Sequence, residues 1–110
     1  MDKTNVKLTV MQMCSAPNVE KNLAFIEQQL SQLSIAGEHI VVLPECCLFF
    51  GGKDAEQLAL AKTTAKDNSL VRQLSALASQ YKVILVAGSI PLLTQSGEKF
   101  TNTCCVFSAT

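Results

Sequence analysis

Three apolar segments of strand length alternate along this chain with segments of helical periodicity. Residues 6–13, VKLTVMQM, alternate and then become continuously apolar, which predicts a first strand entering a sheet interior. Residues 40–43, IVVL, and residues 82–90, KVILVAGSI, are typical of strands buried on both faces of an α/β sheet. The order strand, helix, strand predicts a parallel crossover with the helix packed on one face of the sheet.

The first helix is predicted from its start signals and its apolar face. Residues 15–18 break the strand pattern, Pro17 suits a first helical turn, and Gly37 is the expected end of the helix. Between them, apolar residues recur at spacings of four and three, so that one face is continuously apolar. The predicted core positions of this helix are Val19, Leu23, Ile26, Leu30 and Leu33.

Two more helices are predicted before the third strand. Residues 54–63 are rich in alanine and leucine, and Asp54 is a possible cap of that helix. The next helix should start near residues 67–69, and its apolar stripe indicates a core face rather than a cofactor site. That stripe consists of Leu70, Leu74, Leu77 and Tyr81.

The end of the chain has the pattern of a β-hairpin. Pro91 is expected to end the third strand, because proline lacks the N–H that a sheet ladder needs. Residues 94–100, TQSGEKF, contain a Ser-Gly turn signal between two apolar runs. An antiparallel strand over residues 100–108 would make the sheet mixed.

Glu45 is the candidate catalytic residue. It directly follows the apolar run and Pro44, so it should lie at the carboxyl end of a buried strand, where α/β sheets form ligand crevices. With residues 46–50, CCLFF, crowding it, the carboxylate is expected to be partly desolvated and therefore a better base. The alternative is a solvated loop residue or a helix cap.

Composition excludes several classes of function. Nine basic and nine acidic residues give a formal net charge of zero, which argues against a nucleic-acid partner. The longest apolar run is far too short to span a membrane. The start MDKTNVKLTV lacks the apolar core of a signal peptide, so a cytoplasmic location is expected.

The five cysteines predict buried, reduced thiols rather than a disulfide framework. Cys14 stands alone, whereas Cys46 and Cys47, like Cys104 and Cys105, are adjacent and should point to opposite sides of an extended chain. A redox protein is disfavoured because the chain has no CxxC motif. A reactive thiol at Cys46 or Cys47 beside the cleft remains an alternative.

Metal and histidine chemistry are not predicted. The single histidine, His39, should be half-exposed at the strand edge opposite Glu45, so a histidine-based triad is not expected. No group of histidines, cysteines and carboxylates has the spacing of a metal site, and no glycine-rich loop follows the first strand.

The segments NLAFIEQQL, VVLPE, VILVAGSIP and FTNT occur in an order that resembles the amino-terminal part of the nitrilase superfamily of carbon-nitrogen hydrolases. The resemblance implies an α/β fold, the amino-terminal part of a four-layer α-β-β-α sandwich with mixed sheets. It makes Glu45 the general base of a Glu, Lys, Cys triad that hydrolyses small amides through a thioester, without a cofactor. The segment LPECCLFFGG is most similar to the deaminated-glutathione amidase and omega-amidase type, and homo-oligomers are expected.

The chain also departs from that family. Lys82, Lys99 and the five cysteines do not match the positions of the family's catalytic lysine and cysteine. Residues 1–110 are therefore expected to be an incomplete hydrolase domain, inactive alone, with one apolar sheet face uncovered. The competing hypothesis is a non-catalytic fragment that acts as an interaction or folding partner.

Overall fold

Four strands form one mixed sheet in the order β1-β2-β3-β4. The computed structural model describes residues 5–35 and 37–110. Three helices lie between the strands along the chain. In chain order the elements are β1 Val6–Val10, α1 Val19–Ser31, β2 Glu38–Val42, α2 Asp54–Ala65, α3 Ser69–Tyr81, β3 Ile84–Leu93 and β4 Phe100–Phe107.

The strand pairing confirms the predicted crossovers and hairpin. β1 is parallel to β2, and β2 is parallel to β3, so each of these connections contains a helix. β3 and β4 are antiparallel and joined by a turn in which Thr94 N–H donates to Lys99 O at 2.9 Å. Gly97 has a φ of 77° in that turn, a conformation that glycine adopts without strain. The sheet is therefore mixed, as expected.

The core lies on one face of the sheet, which we call the covered face. The side chains of Val41 and Leu85 point to it and pack with residues of α1 and α3 in one cluster. Ile26, Leu30, Leu70 and Leu74, all predicted core positions, are fully buried there or nearly so. Helical periodicity was thus sufficient to find the core faces of both helices.

The other face of the sheet, which we call the open face, is apolar but exposed. Side chains alternate along a strand, so residues next to those of the covered face point here. The strand register places them in rows: Leu8 pairs with Ile40 and Ile40 with Ile84, while Val10, Val42, Val86 and Val106 pair in succession. Leu8 and Val106 are each 65% exposed.

β1 corrects the prediction of a strand that enters the sheet interior. The regular strand stops at Val10 and forms an edge, with β2 as its only partner within the described chain. Val6, Leu8 and Val10 are all exposed on the open face. The chain then turns inward, and Met11, whose N–H donates to Val42 O at 2.9 Å, is buried.

β2 ends as predicted but is less buried than predicted. Leu43 N–H still donates to Val86 O at 2.8 Å, and Pro44 then leads the chain into a loop. Val41 is fully buried, whereas Ile40 and Val42 are only partly so. The prediction of burial on both faces was wrong because the open face carries no second layer within the described residues.

Pro91 does not end β3, which continues to Leu93. β2 pairs with β3 only as far as Val86, so beyond that residue β3 has β4 as its single described neighbour. Proline is tolerated in such a position because its missing N–H can lie on the unpaired side. The register between Ala87 and Ile90 is also irregular, as in a β-bulge.

Two helix boundaries differ from the predictions. α1 ends at Ser31, so that Gly37, with a φ of 71°, lies in the following loop instead of capping the helix. Asp54 is the first residue of α2 and not its cap. The preceding Lys53 donates its backbone N–H to the carboxylate of Glu56 at 3.3 Å, which satisfies that N–H group.

His39 is buried, which corrects the prediction of a half-exposed residue. Its side chain is only 4% exposed, and Nε2 shares a hydrogen bond with Thr9 Oγ1 at 2.6 Å. The register explains the burial, because His39 has the same parity as Val41 and therefore points to the covered face.

Among residues 5–35 and 37–110, no helix has the length and apolarity to cross a membrane.

Candidate functional site

Glu45 lies where the sequence predicts, just beyond the carboxyl end of β2. The loop that follows β2 and the loop that follows β1 border an open cleft of about 420 Å³. This position is typical of ligand sites in α/β sheets. The cleft is lined by Met13, Cys14, Ser15, Pro44, Glu45 and Phe50.

The environment of Glu45 differs from the prediction of a crowded, desolvated carboxylate. Glu45 is exposed, and its carboxylate accepts no hydrogen bond from the described residues. The side chains expected to crowd it turn the other way, since Cys47, Leu48 and Phe49 are buried in the core. Only Phe50 remains beside the cleft, and it too is exposed. Apolar neighbours in sequence therefore did not become neighbours of the carboxylate.

Cys46, the residue after Glu45, has a strained backbone. Its φ of 52° lies in the left-handed region, which costs a non-glycine residue about 1–2 kcal/mol. The turn is held by Phe49 N–H, which donates to Cys46 O at 3.3 Å, and by Cys46 N–H, which donates to Ser89 Oγ at 2.8 Å. Strain of this kind persists only where surrounding contacts enforce it, and it is frequent at functional sites.

Gly88 allows β3 to approach this turn closely. A Cβ atom at this position would lie 2.2 Å from Pro44 O and 2.6 Å from Glu45 N. Both are backbone atoms, which cannot move aside as a flexible side chain could. Any larger residue at position 88 would therefore displace the segment that carries Glu45.

Asn22, a buried residue of α1, ties the two loops of the cleft together. Its Oδ1 accepts from Ala16 N–H at 2.9 Å, and its Nδ2 donates to Ala16 O and to Leu48 O at 2.7 Å each. Ser15 adds a bond from its hydroxyl to Cys47 O at 3.2 Å. These bonds satisfy the polar groups of Asn22 and fix the spacing of the cleft walls.

The sequence patterns did not predict that Asn22, Gly88 and Ser89 contact the loops of the cleft. Asn22 had one available signal, because it is a polar residue next to the apolar face of α1. Ser89 and Gly88 stand in a strand otherwise read as an apolar run, and nothing local indicates that they face a loop more than forty residues earlier. Long-range contacts of this kind do not follow from periodicity.

All five cysteines are free thiols, among them Cys14 in the lining of the cleft and Cys46 and Cys47 in the loop after β2. Burial raises the pKa of the Cys47 thiol to about 12, so this thiol stays protonated at neutral pH. Its S–H donates to Ser89 O at 3.9 Å. A buried, protonated thiol is a poor nucleophile, which argues against the alternative of a reactive Cys47.

Metal and cofactor sites have little support in the described residues. Residues 5–35 and 37–110 contain no group of three or more side chains that could hold a metal ion. Another cleft, of about 310 Å³, lies between α2, α3 and the end of β3, but its lining has no titratable side chain. The predicted absence of a cofactor stays a prediction.

Comparison with known proteins identifies the family. The model of the carbon-nitrogen hydrolase family matches residues 7–110. The chain belongs to the carbon-nitrogen hydrolases. The match confirms the resemblance seen in the segments around VVLPE and FTNT.

Individual carbon-nitrogen hydrolases resemble the chain over nearly its whole length. It is 30% identical to the deaminated glutathione amidase of Yersinia enterocolitica over 90% of this chain and 34% of that protein. Omega-amidase NIT3 of Saccharomyces cerevisiae is 33% identical over 83% of this chain and 31% of its own length. The chain thus spans about a third of the length of these curated relatives.

Solved structures of related proteins show the same fold. The Caenorhabditis elegans NitFhit protein matches with a TM-score of 0.76 and 27% identity, over 93% of this chain and 24% of that one. Saccharomyces cerevisiae Nit3 of the nitrilase superfamily matches with a TM-score of 0.72 and 28% identity, over 94% of this chain and 40% of its own. These folds are α-β-β-α sandwiches, and this carbon-nitrogen hydrolase chain has the amino-terminal part of one.

Proposed function

We propose that Glu45 is the general base in the hydrolysis of a small amide with release of ammonia. The observation that carries this proposal is the placement of its carboxylate. It lies in an open cleft at the carboxyl end of β2, on a strained turn, in a member of the carbon-nitrogen hydrolase family. An exposed carboxylate in a cleft is free to accept a proton from a group that approaches it.

The proposed reaction has two stages. Glu45 takes the proton of a cysteine thiol, and the thiolate attacks the amide carbon while a lysine stabilises the negative charge on the oxygen. The proton then passes to the nitrogen, ammonia leaves, and a thioester remains. Water attacks the thioester with the same carboxylate as base, which gives the carboxylic acid and restores the thiol.

The lysine and the nucleophilic cysteine of this scheme are proposed to come from polypeptide other than residues 1–110. None of the five cysteines, including Cys14 in the lining of the cleft, stands at the position that the family resemblance gives to the nucleophile. Cys47 is also buried and protonated, and Cys104 and Cys105 lie on β4 rather than in the lining of the cleft. The cleft is open, so there is room for further residues and a substrate beside Glu45. Closing the cleft would exclude water and strengthen electrostatic interactions inside it.

The test is Glu45→Gln in the complete enzyme. We expect ammonia release to fall roughly 10²- to 10⁴-fold, because glutamine has nearly the same shape but accepts no proton. Glu38→Gln is the matched control, since Glu38 is an exposed carboxylate at the opposite end of the same strand. A Glu45→Gln enzyme that keeps its full rate would refute the proposal.

The proposed substrate class is a small amide that also carries a carboxylate. Its support is the similarity to a deaminated glutathione amidase and to an omega-amidase. The test compares kcat/KM for pairs of amides that differ only in the distant carboxylate. The carboxylate-bearing member of each pair is expected to react faster, and equal values would contradict this substrate class without affecting the role of Glu45.

The second candidate is a non-catalytic role as an interaction or folding partner. The exposed apolar rows of the open face favour it, because such a surface promotes association. Size-exclusion chromatography of residues 1–110 should then show an oligomer, or a requirement for a partner to remain in solution. A stable monomer would count against this role.

The cytoplasmic location and the homo-oligomer also stay predictions.

A further inference from the structure

Ser89 contacts the segment of Glu45 from another element of the fold. It is 6% exposed and lies on β3, forty-three residues beyond Cys46. Its Oγ accepts a hydrogen bond from Cys46 N–H at 2.8 Å, and its hydroxyl donates to Cys46 Sγ, with 3.9 Å between the oxygen and the sulfur. The hydroxyl group therefore acts both as acceptor and as donor towards Cys46, the residue next to the candidate base.

The N–H of Cys46 belongs to the peptide unit that joins Glu45 to Cys46. That unit is planar, so a hydrogen bond to its N–H fixes the plane and with it the ψ angle of Glu45. The ψ angle of Glu45 sets the direction of its side chain relative to that peptide unit, which Ser89 holds against β3. Since the Glu45 carboxylate has no hydrogen bond to the described residues, the hydrogen bonds of those residues restrain it only through its backbone.

The irregularity in β3 explains why Ser89 can reach the turn. Between the pairs Ala87 with Cys105 and Ile90 with Thr103, β3 advances three residues while β4 advances two. The extra residue is the mark of a β-bulge, which re-aims side chains and is common beside active sites. Gly88 in the same bulge brings the β3 backbone against Pro44. The bulge thus contacts the Glu45 segment at two points.

We propose that Ser89 is a positioning residue, which orients the carboxylate of Glu45 through the hydrogen bond to the Cys46 peptide. This inference rests on the proposed role of Glu45 as general base. Misplacing a catalytic group by about 1 Å can lower the rate by about 10²-fold. The serine hydroxyl should therefore affect the chemical step without contacting the substrate.

The kinetic test compares Ser89→Ala with Ser89→Thr in the complete enzyme. Ser89→Ala is expected to lower kcat roughly 10- to 100-fold with little change in KM, because orientation of the base matters in the transition state. Ser89→Thr keeps the hydroxyl oxygen and should recover most of the rate. Ser75→Ala, an exposed serine of α3, is the control for the chemical change.

A second control separates positioning from general destabilisation. Leu77→Ala removes a buried side chain of α3 that is not in the lining of the Glu45 cleft. It should lower the thermal midpoint while leaving kcat unchanged at temperatures where the protein is folded. If Ser89→Ala behaves like Leu77→Ala, or if Ser89→Thr is as slow as Ser89→Ala, the positioning role is refuted.

A direct structural readout is available in the same complete enzyme. Amide hydrogen exchange of Cys46 should be at least about tenfold faster in Ser89→Ala, because the N–H loses its acceptor. Unchanged exchange would show that the bond does not restrain the turn. Should Ser89→Ala fail to fold, Ser89→Cys offers a weaker acceptor, and its kcat is expected between those of serine and the slow variants; a rate equal to that of serine overturns the proposal.

Failure of this inference and failure of the proposed function give different results. A Glu45→Gln enzyme with full activity would show that Glu45 is not the general base. That result would also refute the positioning role of Ser89. An inactive Glu45→Gln enzyme beside a fully active Ser89→Ala enzyme leaves the general base in place and refutes only the positioning role.

Discussion

The two faces of the sheet are built from similar residues but have different surroundings. On the covered face Val41, Leu85 and Phe107 form one row and are buried under the helices. On the open face the next row contains four valines, yet two of them, Val10 and Val106, are exposed. The sequence pattern of the strands thus predicts two buried faces, and the described residues cover one.

This difference explains several of the corrected predictions. The run of residues 40–43 predicts a strand buried on both faces, because apolar side chains occupy both parities. In the family fold, an α-β-β-α sandwich, a second sheet packs against the first. An apolar open face is therefore consistent with half of such a sandwich.

The largest expected effect contrasts a leucine on each face. Leu85→Ala should lower the free energy of unfolding by about 2–5 kcal/mol, because it leaves a cavity in a fully buried region. Leu8→Ala should cost less than about 1 kcal/mol, since that side chain is largely exposed already. Urea unfolding at low protein concentration measures both. Equal losses would mean that the open face is covered in solution.

Alkaline pH tests the burial of Cys47 behind the cleft. Its pKa is raised from 9.0 to about 12, so the folded state favours the protonated thiol. The protonated Cys47 thiol contributes fully to the free energy of unfolding below about pH 9. This contribution is lost as pH rises towards 12, and the free energy of unfolding then falls by up to about 1.4 kcal/mol per pH unit.

The measurement is the difference in unfolding free energy between the wild-type chain and Cys47→Ala from pH 8 to 11. Cys47→Ala should be less stable at pH 8, because a buried side chain is truncated, and the gap should narrow as pH rises. Cys104→Ala, which removes an exposed thiol, should keep the wild-type slope. A constant gap for Cys47→Ala would contradict the raised pKa.

Cys104 and Cys105 sharpen the comparison because adjacent residues of β4 point to opposite faces. Cys104 is exposed on the open face, whereas Cys105 is half-buried against the core. Burial, and to a lesser extent the neighbouring Cys104, raises the pKa of Cys105. Alkylation at pH 8 of variants that keep one of the two should be roughly tenfold faster at Cys104. Similar rates would indicate that the open face is shielded.

The smallest expected effect on stability comes from a charge on the open face. Val106→Lys should change the unfolding free energy by less than about 1 kcal/mol and weaken any self-association, because it interrupts an exposed apolar row. Ser75→Lys, at an exposed position of α3, is the control. Sedimentation velocity measures association; if Val106→Lys associates as strongly as Ser75→Lys, the open face is not the contact.

The sequence by itself determined the elements and the place of the candidate base. Periodicity located the helical core faces, such as Ile26 and Leu74, because a helix or strand repeats its contacts at fixed intervals. Pro44 marked the end of β2, since it cannot donate to a ladder, and so placed Glu45 at the carboxyl edge. The order of motifs also indicated the family that the comparisons confirmed.

Only the tertiary structure decided what surrounds those residues. The exposure of Glu45 and the contacts of Asn22 and Ser89 depend on segments that are distant in sequence. A bulge in β3 sets where Ser89 reaches, and a strand's position in the sheet sets which faces are covered. Local periodicity does not predict these contacts. It shows which face of a single helix or strand is apolar, whereas these contacts arise where elements distant in sequence pack together.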